Sequence, residues 1–467
     1  MRTVYTITYS AEKYDEKNIN KQDILTLINT HISKVLPQLI INKRYYDGRH
    51  DIESRARKKG APNTRVICNH AKDIADNATG YFMGNPITYE NTANADIEPL
   101  LLAFDAALVD DTDFDNALDM SIYGVAYEYI YAKKECTELM TKNLEPEHTF
   151  IVCDDTIEQN PLFGVYYFYT KDDATGEGKY QATVLTQNYR YQLIITDTKG
   201  GSQPLTEEPE PHYFGDIPLV EYKNNKYNIG DFEQQISLIN AYNTLMSDRV
   251  NDKEQFIDAL LVLYGAQLGD DEEEVTAAAK ALKEHKLLEL PESAKAEYLT
   301  RTFDENGVET LRKAIKEDIY TFSHVPNLTD ENFVGNSSGV AMEYKLLGLE
   351  MITKIKTRYY KNSLKKRIRL FCGFLGLKQL LVDASSVVPS FSRALPKNLT
   401  ELAQVVANLK GSVSQKTLLQ LLPFVEDPDN EIDTVAEEKA EEAKRQREMF
   451  GLDGNQPPDE GAGDVDE

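Results

Sequence analysis

The sequence predicts a helix-rich α+β protein of several domains. Three observations carry that reading. Two helical stripes, Phe232–Val250 and Val308–Phe322, enclose a short mixed segment. A tyrosine-rich block from Val125 to about Tyr222 switches to an alternating period. The stretch Ser338–Leu375 runs without a proline, its only interior glycines being Gly339, Gly348 and Gly373. As one helix it would reach about 55 Å. The chain has 467 residues, 41% of them hydrophobic, enough for roughly two to four domains.

In order along the chain, Asn20 caps a helix carrying Ile24, Leu27, Ile28 and Leu36, which Pro37 kinks or ends. Loop signals follow in YYDGRHDIESRARKKGAPNTRVICNH, with six Arg/Lys residues from Arg49 to Arg65. Asn69 caps a helix with Ile74, Ala78 and Tyr81 on one face and Gly84 as its stop. After the short strand ITYE, one helix carries Ile97, Leu100, Leu101, Phe104 and Leu108. A second carries Phe114, Leu118 and Ile122. From Val125 the strands VAYEYIY, TFIVC, GVYYFYT, YQATVLT, YRYQLIIT and PLVEY form a mainly antiparallel sheet, with a hairpin turn at Gln187-Asn188. Tyr166–Tyr169 lacks interleaved basic residues, so it reads as strand and not as a base-stacking platform.

Asp231 caps a helix of about 40 Å with Phe232, Ile236, Ile239, Tyr242, Met246 and Val250 on one face and polar residues opposite. Ala259–Phe303 then reads as a small α/β module: DALLVLYG, an acidic helix start at Asp270–Glu274, VTAAAKALKEH, KLLEL and AEYLTRTF. The acidic run lacks the alternating ligands of a cation loop. A second long helix carries Val308, Leu311, Ile315, Ile319 and Phe322. Pro326–Gly339 is polar and aperiodic, either an ordinary connection or a soft finger projected from rigid helices. From Lys345 to Lys378 there are ten Lys/Arg against one acid, Glu350, a net of +9. Either this helix is a solvated face, or it meets an acidic neighbour or a DNA backbone. After the strand SVVPSFSR, Asn398 caps a helix stopped by Gly411. Ser412 or Ser414 starts another, and a charged helix begins near Pro428. From Glu426 onward sixteen Asp/Glu face four Lys/Arg, a net of −12, and the last residues are expected to be disordered.

The net charge of −26 argues against tight nucleic-acid binding by the bulk surface. Cys68, Cys136, Cys153 and Cys372 form no CxxC pair and read as reduced thiols. The start MRTVYTITYSAEKYDEK has no apolar signal core, and no run of eighteen apolar residues occurs, so neither secretion nor membrane spanning is expected. No GxxxxGK[ST], GxGxxG, HExxH or GxSxG is present. His31, His50, His70, His148, His212, His285 and His324 are scattered outside metal-ligand spacing. Asp110-Asp111 and Asp154-Asp155 are adjacent pairs whose side chains diverge. No catalytic residue, cofactor or metal is expected, and function is expected to lie in shape and assembly.

Five segments in order resemble portal proteins of tailed bacteriophages, the branch of siphophages and prophages of Gram-positive bacteria. They are YYDGRHDI, NHAKDIADNATGYFMGNPITY, DFEQQISLINAYNTLMSDRVNDKEQFIDALLVLYG, SSGVAMEYKLLGLEMITKIK and LPKNLTELAQ…LLPFVEDPDNE, and together they span about Tyr45 to Glu442. The resemblance implies a ring, usually a dodecamer, at one capsid vertex of the virion, assembled in the host bacterial cytoplasm, with double-stranded DNA passing through it independently of sequence. It implies partners: the terminase large subunit, a head–tail adaptor, and major capsid and scaffolding proteins. It implies the division wing 1–230, stem helices 231–258 and 306–325, clip 259–305, tunnel loop 326–338, long helix with return strand 339–395, crown 396–450 and acidic tail 451–467. Asn327, Thr329, Asp330, Glu331, Asn332, Asn336, Ser337 and Ser338 would line the tunnel, with Pro326, Gly335 and Gly339 as hinges. Lys354, Lys356, Arg358, Lys361, Lys365, Lys366 and Arg367 are candidate contacts of the basic helix. The alternatives are a ring-forming capsid or tail adaptor without DNA contact, and a metal-dependent DNA-processing enzyme.

Overall fold

The computed structural model describes residues 5–57, 62–92, 96–133, 138–171, 178–196, 209–256, 260–264, 271–285, 294–299, 305–328, 339–393, 399–422, 425 and 428–449. It has two compact units, Met1–Ala394 and Leu395–Glu467. The chain is helix-rich α+β, as expected.

The first unit begins with β1 (Ile7–Tyr9), α1 (Lys21–Lys34) and α2 (Leu36–Tyr46). The Asn20 side chain accepts from the Gln22 N–H and starts α1. Pro37 in the first turn of α2 forces a 49° bend between the two helices. Then come α3 (His70–Met83), β2 (Thr88–Asn91), α4 (Glu98–Ala106) and α5 (Val109–Tyr123). Asn69 caps α3 through the Lys72 N–H. The strands are β3 (Val125–Ala132), β4 (Leu139–Leu144), β5 (Thr149–Asp154), β6 (Pro161–Lys171), β7 (Gly178–Leu185), β8 (Tyr189–Thr196), β9 (Glu210–Pro211) and β10 (Leu219–Lys223). They form two sheets, ordered β1-β5-β6-β7-β8-β9 and β10-β3-β4. Among the described strands of these two sheets only β1–β5 is a parallel pair, and β7 and β8 make the hairpin expected at Gln187-Asn188. Helix α1 lays Ile24, Leu27 and Ile28 on Phe150, Val152, Val165 and Val184 of the larger sheet.

Next are α6 (Ile236–Phe256), β11 (Leu260–Tyr264), α7 (Glu272–His285), β12 (Lys295–Leu299) and α8 (Glu305–Ser323). β11 and β12 pair antiparallel, and Glu272, Glu273 and Glu274 sit in the first turn of α7. The expected strand KLLEL lies outside the described residues. The unit closes with α9 (Gly339–Lys345), α10 (Leu347–Leu377) and β13 (Val387–Ser390). β13 pairs antiparallel with β2, nearly three hundred residues earlier. Helix α10 places Tyr360, Leu364, Ile368 and Phe371 into one core with Phe82, Phe104, Met120, Ile130 and Tyr222.

Four local expectations are corrected. The long helix is not continuous: it breaks at Leu346, which is buried, and Gly348 passes close to the His324 carbonyl, where a Cβ would meet it at 3.4 Å. Helix α5 does not bury Phe114, which is exposed. Its inward face is polar, with Thr112, Asp113, Asn116 and Ser121 beside Ala117 and Met120. Leu108 is exposed at the α4–α5 junction in a left-handed conformation. Asp231 caps no helix. Its side chain is drawn away to Lys356, and a 3-10 turn at Glu233–Gln235 leads into α6.

The second unit holds α11 (Leu399–Leu409), α12 (Gln415–Leu419) and α13 (Pro428–Met449). Gly411, at φ +92°, turns the chain after α11. Ser414 starts α12 by accepting from the Thr417 N–H. Asn398 and the acidic tail lie outside the described residues.

Candidate functional site

Helices α6 and α8 lie side by side and antiparallel, as their cross-links show. Lys253 pairs with Glu305 at 3.0 Å, Arg249 with Glu309 at 2.8 Å, and Arg312 donates to Tyr242 Oη at 3.0 Å. Arg312 also holds Glu309 through Nε and Nη2 at 3.0 and 2.6 Å. Hydrogen bonds from Arg312 and then Arg249 hold the Glu309 carboxyl down at about 2. His70 of α3 wedges between the two helices, its ring edge-on to Tyr242 and Tyr320. Burial lowers its pKa to about 4, so the imidazole is neutral at pH 7. Tyr320 in turn donates to Asp73 of α3 at 2.7 Å.

The polar face of α6 is buried at Asn243, Ser247 and Asn251. These residues recur every four positions, one per turn. They bind the extended segment Thr64–Cys68 as a neighbouring strand would. Asn243 accepts from the Cys68 N–H at 2.8 Å, Ser247 from Val66 at 2.9 Å and Asn251 from Thr64 at 2.7 Å. Asn251 returns a bond to the Thr64 carbonyl at 3.1 Å. Two members of the early basic cluster, Arg55 and Arg57, end on Asp248 of the same helix. Their charge is therefore spent on anchoring this segment.

At the end of α8 the chain turns sharply. Ser323 and Val325 are buried, and His324 adopts φ +59° between them. Pro326 and Asn327 follow half-buried, then Leu328 exposed. Thr329, Asp330, Glu331, Asn332, Gly335, Asn336, Ser337 and Ser338 lie outside the described residues. Gly339 opens α9.

The basic helix α10 divides its cations between two environments. Lys354, Arg358 and Lys365 are exposed, while Lys361 and Lys366 are half-buried. Lys361 lies over the Phe391 ring, and Lys366 donates to the Leu219 carbonyl at 3.0 Å. Lys356 and Arg367 correct the expectation of a uniformly available basic face. Lys356 is buried, paired with Asp231 and donating to Ser121 Oγ at 3.0 Å. Arg367 is wholly buried, with Nη2 on Asp113 at 2.5 Å and Nε on Glu128 at 2.9 Å. Tyr360 and Tyr222 donate to the same two carboxylates at 2.5 and 2.6 Å. Neither cation can reach a ligand, because each is already the counter-charge of a buried acid.

Sequence reasoning missed both polar interiors. The signal was present in Asn243, Ser247 and Asn251 at helical spacing and in the lone Glu128 within the alternating strand. A charged residue in a two-sided buried strand demands a partner. Among the described residues no group of three or more His, Cys, Asp or Glu is placed to hold a metal ion, and Asp154 is occupied in its own turn by Thr156 and Asn160.

Comparison with known proteins places the chain in a family. The portal protein of Bacillus phage SPP1 is 24% identical over 464 residues, covering 92% of this chain and 89% of that protein. The portal protein of Clostridium phage phiCD119 is 20% identical over 443 residues, covering 87% and 94%. A chain in the solved neck of an empty GTA particle has a TM-score of 0.48 at 10% identity, covering 75% of this chain and 89% of that one. The family described as "Phage portal protein, SPP1 Gp6-like" matches residues 25–445, and the chain belongs to that family.

Proposed function

We propose that copies of this chain close into a ring, a dodecamer, at one vertex of a phage capsid, and that double-stranded DNA passes through its hole during packaging and ejection. The observation that carries this reading is the family match across residues 25–445. On this reading the protein is a structural part of the virion, built in the host cytoplasm, and not an enzyme.

Within the ring, residues 231–258 and 306–325 form a stem, and 326–338 form the loop that meets DNA. Cross-linking of α6 to α8 supports a stiff rod there, since two Arg/Lys–carboxylate pairs and the Arg312–Tyr242 hydrogen bond run between the helices. Residues 1–230 form the wing, and 339–395 form the long helix and the strand that return to it. The pairing of β13 with β2 and the burial of α10 in the same core support this, because the chain after the loop returns to the body before the rod. Residues 259–305 form the clip, where the terminase large subunit and later the head–tail adaptor dock. Capsid and scaffolding proteins meet the wing, and residues 396–450 form the crown. The loop carries only Asp330 and Glu331 as charges. DNA would slide past it, because contacts that release counterions are absent. Of the basic helix, the exposed Lys354, Arg358 and Lys365 remain candidates for a phosphate or an acidic partner.

Deleting Asn327–Ser337 tests the conduit. Electron microscopy should still show rings with a central hole, while the fraction of DNA-filled heads falls sharply. Unchanged packaging would favour an adaptor ring that never touches DNA.

A further inference from the structure

A ring closed by one repeated contact is heterologous, so each copy offers two different faces. Two helix faces of the first unit are apolar and uncovered among the described residues. On α9 and α10, Tyr344, Leu347, Met351 and Ile355 follow steps of three and four, and they are 76, 52, 61 and 49% exposed. On α8, Leu311 and Phe322 are 51 and 60% exposed, with the exposed Ala314 and Asp318 between them on the same side. The α8 stripe read from sequence is thus split: Ile319 turns into the core, while Leu311 and Phe322 turn outward. Apolar residues at helical spacing normally face a core. An apolar stripe left bare on a folded subunit marks a contact surface.

The charges beside the two stripes are opposite. Asp318 lies within the α8 stripe with Glu317 next to it in sequence, and Lys354 and Arg358 flank the α10 stripe. Among the described residues Glu317, Asp318 and Arg358 have no ion pair, and Lys354 only approaches Glu350 at 3.8 Å. Each face therefore has what the other needs: an apolar row, and a pair of charges of opposite sign.

Resting on the ring reading above, we propose that the outward face of α8 in one copy packs on the outward face of α9–α10 in the next copy. Leu311 and Phe322 bury against Tyr344, Leu347, Met351 and Ile355, and Glu317 and Asp318 oppose Lys354 and Arg358. The partner is a second copy of this chain. The contact joins the helix just before residues 326–338 to the helices just after them, so neighbouring subunits are tied together on both sides of that segment.

The test uses two full-length variants with one face broken in each. Variant A carries Leu311→Asp and Phe322→Asp, and variant B carries Met351→Asp and Ile355→Asp. All four sites are exposed, so far-ultraviolet circular dichroism spectra should match the parent. By light scattering on a sizing column the parent should run as a ring, and A and B alone as monomers. An equal mixture should give an A·B dimer and nothing larger, because A keeps the α9–α10 face and B keeps the α8 face. Rings from A or B alone would overturn the proposal while leaving the ring reading intact. A mixture that stays monomeric would show that the two faces do not meet each other. A parent that never closes would instead sink the ring reading itself. If a variant misfolds, charge reversal decides: Asp318→Lys with Glu317→Lys, or Lys354→Glu with Arg358→Glu, should each cut ring yield about tenfold or more. Both reversals in one chain should restore it, and no restoration would overturn the proposal.

Discussion

Two of the arginine–carboxylate triads among the described residues have inverted compositions. In the core one cation, Arg367, serves two acids, Asp113 and Glu128, and all three side chains are essentially out of water. On the α6–α8 rod one acid, Glu309, serves two cations, Arg249 and Arg312, each a quarter to a third exposed. The distances are alike, yet the two triads do different work. In the core nothing can replace a lost partner, so the set fixes how α10, α5 and β3 fit together. On the rod water stands ready to solvate whatever is released, so the set adds alignment with little commitment. Burial, and not the count of ion pairs, decides the consequence.

Breaking the core triad should give the largest effect. Arg367→Met leaves two buried carboxylates and should cost about 3–5 kcal/mol, read as a large drop in thermal midpoint of the full chain. Burial already pushes the Glu128 carboxyl up, and the Arg367 charge opposes that push. Without Arg367, Glu128 should take up a proton, so the variant should lose less stability at acid pH than at neutral pH. Replacing the whole set, with Asp113→Leu and Glu128→Leu added, should recover most of the loss. A single variant as stable as the parent would show that the triad is not structural.

Much of the fold was legible because it rests on local signals. Asn20, Asn69 and Ser414 cap where their short acceptors precede an apolar run, and Pro37 bends the chain where it lacks an N–H. The alternation from Val125 gave the strands. The pairing of β13 with β2 was not legible, since no local rule links residues so far apart. The inward face of α5 was misread because Phe114 and Leu118 look like core by type, whereas the site that binds Arg367 needs Asp113. The charge count on α10 was correct but could not say which side each cation takes. Lys356 and Lys354 differ by two positions, one buried and one in water. Of the candidate site, Pro326, Asn327 and Gly339 fall at the boundaries expected of a connecting segment between α8 and α9, and the residues between Leu328 and Gly339 lie outside the described ones.

A middle effect is expected where polar groups are buried without charge. Asn243→Ala removes the acceptor for the Cys68 N–H and a partner of His50 Nδ1, at 2.8 and 2.7 Å. Leaving these buried groups unmade should cost about 1–3 kcal/mol. The distinguishing readout is local. Amide exchange at Val66 and Cys68 should quicken, while amides in β6 and β7 should not change. Uniform quickening would mean that the segment is not held by α6 in particular.

The rod triad should give the smallest effect, and one that solvent conditions can erase. Glu309→Gln keeps the shape and removes the charge. Its destabilisation should shrink between about 0.1 M and about 1 M salt, as the Debye length falls from ~10 to ~3 Å. The pH dependence follows from the direction of the shift. Folding lowers the Glu309 pKa from 4.5 to about 2, so the unfolded chain binds the proton first as pH falls. The contribution is therefore full above about 4.5 and fades as pH drops toward 2, where parent and Glu309→Gln should melt alike. A gap between them that persists at both low pH and high salt would mean that Glu309 acts by packing, and the contrast between a sealed triad and a wet one would lose its basis.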